Sequence, residues 1–135
     1  MAQPSKEDVA LVEASIEAFN SRDRNAMRRM MAPGAEIVPM RAALEEIAYR
    51  GPEALDRFWA DTEESWSEVE LELLEVEQGT EAVLALVRMR AVGRETGAPV
   101  EMDLALVVEI ESGRFRRLAT HTDIDEARRL AGVER

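Results

Sequence analysis

The chain has 135 residues with 28 acids against 17 bases, a net charge of −11, an isoelectric point near 4.6, no cysteine and one histidine. That length suits a single domain over residues 1–135 with a real core, and the acidic balance argues against nucleic acid or an anionic membrane surface as partner, since both demand a basic footprint. Without cysteine there are no disulfides, thiolate metal sites or cysteine nucleophiles, and one histidine excludes a histidine-rich metal centre, so no metal or cofactor is expected. Met1 to Asp8 lacks the apolar segment of a signal peptide. No apolar run approaches the ~20 residues of a membrane helix. A cytoplasmic location is expected.

Ser5 and Asp8 have the spacing of a capping box, just before Val9, Val12, Ile16 and Phe19 recur at helical intervals. The first helix is expected from Lys6 to Asn20, with Ser15 as the one polar residue on its inward stripe. Asp23 suits the cap of a second helix, where Ala26, Met27, Met30 and Met31 face inward until Pro33-Gly34 ends it. Methionines at this spacing are ordinary core residues, and their flexible thioethers also suit an adaptable ligand wall. Ala35 to Met40 reads as a short strand with Pro39 at its edge or end. Arg41 to Ala48 is open between a helical turn and a flap. After Tyr49-Arg50, Gly51-Pro52 opens a third helix, with Pro52 in the first position. Its stripe is Leu55, Phe58, Trp59, Thr62 and Trp66, and buried tryptophan N–H groups need partners.

From Ser67 to Gln78, Val69, Leu71 and Leu73 alternate with Glu68, Glu70 and Glu72, a half-buried strand with a bulge expected at Leu73-Leu74. Three more strands follow between Ala82 and Asp123, with turns at Thr96-Gly97 and Ser112-Gly113. A first turn centred on Thr96-Gly97 sets Met89 opposite Leu104 and Val87 opposite Leu106. One face then carries Val83, Ala85, Val87, Met89 and Ala91 with Met102, Leu104, Leu106, Val108 and Ile110. The other carries Arg88, Arg90, Glu101, Asp103 and Glu109 as cross-strand pairs, with Leu84, Leu86, Ala105 and Val107 among them. That mixed outer face suits a homodimer surface. Glu36, opposite in facing to Ile37, reads as surface. A short last helix packs Ala127, Leu130 and Ala131 and stops at Gly132.

This order of elements resembles the nuclear transport factor 2-like fold, and the chain resembles its SnoaL-like members over nearly its whole length. The stretches carrying the likeness are Ile16 to Asp23, Tyr49 to Ala54, Ser112 to Leu118, and Asp123 with Glu126-Ala127 and Leu130-Ala131-Gly132. The resemblance implies an α+β fold: a cone-shaped, curved antiparallel sheet wrapped around three N-terminal helices, with a short C-terminal helix. It also implies a site inside the cone, yet the superfamily's catalytic sets are not matched. Where ketosteroid isomerases keep a tyrosine and two aspartates, this chain has Ser15, Val38-Pro39 and Leu106. At the positions of the limonene epoxide hydrolase set it has Val87, Met89, Thr120, Ala35 and Ile37. Scytalone dehydratases need more than one histidine. SnoaL-like polyketide cyclases rely on an aspartate near the end of the last strand, and Asp123 is the nearest match.

The sequence thus points to a pocket for a small hydrophobic or aromatic molecule. Its expected lining is Ser15, Phe19, Met27, Met30, Ile37, Tyr49, Phe58, Trp59, Trp66, Leu71, Val87, Met89, Met102, Leu104, Leu106, Leu118, Thr120 and Thr122. His121 and Asp123 are the candidates for catalysis, because imidazole titrates near neutrality. In the expected register Leu118, Thr120 and Thr122 face inward and His121 and Asp123 outward; a one-residue bulge after Gly113 is expected to invert this. The alternatives are an isomerase, hydrolase or cyclase for polyketide-, steroid- or terpenoid-like compounds, and a dimeric interaction module with a filled cone.

Overall fold

The computed structural model describes residues 5–39, 48–51 and 53–133. In chain order the elements are α1 (Lys6–Asn20), α2 (Arg24–Met30), β1 (Met31–Val38), β2 (Tyr49–Arg50), α3 (Ala54–Ser65), β3 (Trp66–Gln78), β4 (Val83–Gly93), β5 (Pro99–Glu111), β6 (Arg114–His121) and α4 (Ile124–Ala131). The starts of α1 and α2 follow from their caps. Ser5 Oγ accepts from the Asp8 N–H at 3.3 Å while the Asp8 carboxylate accepts from the Ser5 N–H at 3.1 Å. The Asp23 carboxylate takes the Ala26 N–H at 3.0 Å.

Two boundaries differ from expectation. α2 stops at Met30, and Pro33-Gly34 lies inside β1. Proline has no N–H for a ladder, and pairing of β1 with β6 lapses between Met31 and Glu36. Trp66 belongs to β3, not to the third helix, because its backbone is already extended (φ −128°, ψ 129°). Arg94 closes that helix end, its backbone N–H donating to Ser65 O at 3.0 Å and its Nε to Glu63 O at 2.6 Å. α3 begins at Ala54. Pro52 and the flap expected over Arg41 to Ala48, apart from Ala48 itself, lie outside the described residues.

Among the described residues six strands form one curved sheet in the order β2-β1-β6-β5-β4-β3. It is mixed, since β1 runs parallel to β6 while the other neighbours are antiparallel. The β4–β5 register is two residues from the expected one: Met89 faces Met102 and Val87 faces Leu104. The turn is not centred on Thr96-Gly97; Gly93 N–H donates to Ala98 O at 3.0 Å, and Gly97, at φ +69°, donates back to Gly93 O at 2.9 Å. A shift of two conserves which face each side chain occupies. The bulge at Leu73-Leu74 is present and leaves Leu74 exposed. Along the free edge of β3, Asn20 forms a two-way bond with the Leu71 peptide, accepting from its N–H at 2.9 Å and donating to its carbonyl at 2.7 Å. Arg22 donates to Val69 O beside it at 2.9 Å.

The sheet is packed on both faces. Inside, Val12, Ile16, Phe19, Leu55 and Trp59 of the helices meet Val83, Val87, Leu104, Val108 and Phe115 in the main core. Outside, α4 covers Leu84, Ala105 and Val107 with Ala127, Ala131 and Ile124 in a second core. Leu130, expected to pack there, is exposed. Gly79 passes so close to this helix that an added Cβ would stand 1.8 Å from Ala131 O. Beyond α4, the outer face is a ladder of ion pairs, Arg88–Asp103 at 2.8 Å and Arg90 between Glu72 at 2.8 Å and Glu101 at 3.0 Å. The apolar residues of the supposed dimer surface are thus covered by the chain's own helix. Glu36 is not a plain surface residue: it bridges Arg50 at 2.7 Å and Arg117 at 2.8 Å. Burial alone would raise its carboxyl pKa, but hydrogen bonds from Arg117 and then Arg50, with their charges, hold it below the ordinary value. No helix among the described residues is long and apolar enough to cross a membrane.

Candidate functional site

Between the helices and the inner sheet face lies a cavity of about 260 Å³. Its wall is built from every layer. α1 and α2 supply Ser15, Ile16, Phe19 and Met27. Met31, Ile37 and Pro39 come from β1 and the residue after it. Leu55, Phe58, Asp61, Thr62 and Ser65 come from α3. The sheet completes it with Trp66, Val69 and Leu71, then Val87 and Met89, Leu104 and Leu106, and Leu118 and Thr120. Strand alternation explains the last set: Val87↔Leu104, Leu106↔Thr120 and Val108↔Leu118 are cross-strand pairs on one face.

Five of the residues expected at the wall stand elsewhere. Trp59 lies behind it, 1 % exposed, stacked on Phe19 with centroids 5.0 Å apart, with the Arg22 and Arg24 guanidiniums 5.7 and 5.5 Å from its ring. Its indole N–H finds no acceptor among the described residues. Met30 and Met102 are half-buried outside the cavity. Thr122 follows the end of β6 and is exposed. Tyr49 is buried beside the cavity, and its hydroxyl donates to the Asp61 carboxylate.

His121 and Asp123 do not enter the cavity. Asp123 caps α4, accepting from the Glu126 N–H at 3.0 Å. His121 pairs with Ala105 on the outer face. A bulge after Gly113 does exist, but its effect is the reverse of the one expected. From the tight pair Glu111↔Arg114, the ladder steps from Ile110↔Phe115 to Glu109↔Arg117, so Arg116 is the extra residue. That step brings Leu118 and Thr120 inward after Phe115 and turns His121 out. Burial lowers the His121 pKa; Glu126 pulls it up, Arg117 pushes it down and Asp123 pulls it up. Its Nε2 is covered with no hydrogen-bond partner among the described residues.

Asp61 is the residue the sequence reading passed over. Among the described residues it is the one ionisable group of the wall, in a surface otherwise apolar or hydroxylic. Its signal was helical spacing: Asp61 follows Phe58 by three and precedes Ser65 by four, on the stripe that lines the cavity. Two of the hydroxyls are committed as donors to their own helices, Ser15 to Val12 O at 2.7 Å and Thr62 to Phe58 O at 2.8 Å. No metal-binding group of three or more His, Asp or Glu side chains gathers among the described residues.

Comparison with known proteins agrees with this architecture. A family profile of the SnoaL-like domain matches residues 12–118. The chain belongs to that family. No protein of curated function is detectably similar in sequence. Among solved structures, a nuclear transport factor 2-like protein of unknown function from Burkholderia pseudomallei superposes with a TM-score of 0.78 at 22 % identity, over 94 % of this chain and 98 % of that one. A candidate SnoaL-like polyketide cyclase from Jannaschia sp. gives 0.76 at 16 % identity, over 100 % and 98 %. A candidate polyketide cyclase from Sinorhizobium meliloti is 28 % identical, with a TM-score of 0.63 over 82 % and 93 %.

Proposed function

We propose that this SnoaL-like domain holds a small, largely apolar molecule inside its cone. The observation that carries the reading is the cavity of about 260 Å³, walled by apolar side chains from helices and sheet yet unfilled by them. It exceeds the ~150 Å³ in which a buried site takes up benzene, and falls just below the ~300 Å³ lower bound of drug-sized pockets. One or two rings fit. Burial of apolar ligand surface contributes about 25 cal/mol per Å², so some 300 Å² gives on the order of 7 kcal/mol before the cost of association. That supports affinities from millimolar to micromolar. The likeness to the Sinorhizobium meliloti candidate polyketide cyclase supports ring compounds of polyketide type. Native mass spectrometry of freshly purified protein tests the reading: a retained small molecule, or a raised melting temperature with aromatic ligands, is expected. Failure of every ring-sized ligand to bind would overturn it.

A second reading, turnover of the bound molecule, is favoured by the carboxylate of Asp61 on the wall. Val87, Met89, Leu106 and Thr120 cannot relay protons as carboxylates do, so Asp61 would carry the general-base role. With a ligand identified, Asp61→Asn should abolish turnover while binding persists; unchanged turnover would remove this reading.

A further inference from the structure

We infer that Thr120 anchors the ligand, and that the cavity takes a small ring compound carrying a carbonyl oxygen, with that oxygen at the Thr120 hydroxyl. This rests on the reading of the cavity as a ligand site and adds the chemistry of the ligand. Among the described residues, the polar side chains of the wall are Ser15, Asp61, Thr62, Ser65, Trp66 and Thr120. Ser15 and Thr62 give their protons to carbonyls of their own helices. Asp61 takes the Tyr49 hydroxyl proton, and both residues are engaged further. Ser65 is exposed, where water serves its hydroxyl. Thr120 is different: it is half-buried on the wall, and its hydroxyl makes no hydrogen bond to any described residue. The sheet explains why. Thr120 faces inward on β6 across from Leu106 of β5, next on that face to Leu118, which pairs with Ile37 of β1. These neighbours are all apolar, so a hydroxyl set among their side chains has nothing to bond.

The ligand must therefore serve this hydroxyl. A hydrocarbon laid against it would strip its water and return nothing. Thr120 can donate and accept, but accepting alone leaves its proton unspent. A ligand hydroxyl that takes this proton has its own to place beside Leu106, Leu118 and Ile37, whose side chains hold no acceptor. A carbonyl takes the proton and brings none. Trp66, also half-buried on the wall, leads to the same chemistry: its indole N–H can only donate, and it makes no hydrogen bond to any described residue. The half-buried wall groups without a partner both have protons to give. One well-placed polar group in an apolar wall fixes the orientation of a small ligand, and a site built around a hydrogen bond rejects the isostere that cannot complete it.

The test titrates three probes of nearly one shape into the full chain by calorimetry: acetophenone, α-methylstyrene, which has a methylene in place of the carbonyl oxygen, and the alcohol obtained by reducing the ketone. The hydrocarbon is the greasier molecule, so the ratio of ketone to hydrocarbon affinity is read in the unaltered chain and again in Thr120→Val, which keeps the branched shape and replaces the hydroxyl by a methyl. That ratio should fall at least about fivefold, the amount one neutral hydrogen bond supplies. Thr120→Ser keeps the hydroxyl and should hold the ratio within about twofold. Independently of any variant, the carbonyl stretch of isotope-labelled acetophenone bound to the unaltered chain should lie at lower frequency than in hexane. Circular dichroism checks each fold; if Thr120→Val does not fold, the infrared result decides. An unchanged ratio in Thr120→Val, or a stretch as in hexane, would overturn the inference and leave the cavity reading standing. A ratio lost equally in Thr120→Ser would trace the effect to packing and overturn the anchor role. Tighter binding of the alcohol than of the ketone would overturn the choice of a carbonyl. Failure of all three probes to bind would overturn both the inference and the cavity reading.

Discussion

The two faces of the central strands are both apolar where a helix crosses them, yet one is closed and the other hollow. On the outer face the meeting residues are small: Ala82, Ala105, Ala127 and Ala131, with Leu84 and Val107 between. Small side chains let α4 approach until backbone meets backbone, and Ala131 O accepts from the N–H groups of Glu81 at 3.0 Å and Ala82 at 3.2 Å. On the inner face the residues are large, with Phe19, Phe58, Met89, Leu104 and Leu106 holding helices and sheet apart around the cavity. Hydrophobicity alone does not separate a core from a pocket. Side-chain size across the interface does, because interiors are stable only when close-packed and a standing void forfeits dispersion contacts.

The largest effect should come from adding least to the closed side. Gly79→Ala places one methyl against the Ala131 backbone, and should lower stability by about 3 kcal/mol in urea unfolding. On the hollow side, Leu118→Trp adds a ring system, yet should shift stability by less than about 1 kcal/mol, because it fills existing space. Its cost should appear instead as loss of aromatic-ligand binding. A Trp variant that unfolds, or still binds, would break the contrast. Asp123→Ala removes the α4 cap and should cost about 1 kcal/mol while leaving ligand affinity unchanged; weaker binding would bring Asp123 back into the site.

A smaller effect concerns His121. Its folded pKa lies below the ordinary value through burial, so well above about pH 6.5 both folded and unfolded forms are neutral and stability is complete. As the pH falls, the unfolded chain takes up the proton first, and stability drops. His121→Gln should flatten that decline below about pH 6.5, read from urea midpoints of both proteins; parallel curves would contradict it. The smallest effect belongs to the ion-pair ladder. Arg90→Ala should leave the thermal midpoint unchanged within error at physiological salt, because exposed pairs are screened.

What the sequence disclosed was periodicity, and what it concealed was register and docking. The capping box at Ser5, the alternation along β3 and the facing of Val87, Met89, Leu104 and Leu106 all follow from local spacing. The shift of the β4–β5 pairing survived undetected because two residues of slip change no facing. The bulge at Arg116 could not be read, since nothing in Arg114 to Arg117 marks which residue stands unpaired until Phe115 and Leu118 are both required inside. Asp61 was missed for a different reason: an acid on a helical stripe looks like solvated surface unless the neighbouring element leaves a void there. The covering of Ala105 and Val107 by α4 depended on tertiary contact that no local pattern encodes.

The bond between Asn20 and Leu71 has a consequence for how this chain behaves among its own copies. β3 is a lateral strand thirteen residues long, and such an edge is a template on which another chain can extend the sheet. The carboxamide of Asn20 presents one donor and one acceptor in the positions a neighbouring peptide group would take, and Arg22 occupies the next outward carbonyl. A single side chain thus acts as a terminating strand of one residue. It blocks intermolecular addition at the middle of the edge, and the same bond anchors the end of α1 at a fixed height above the sheet. One amide thus both caps the middle of the edge and ties the end of α1 to the sheet.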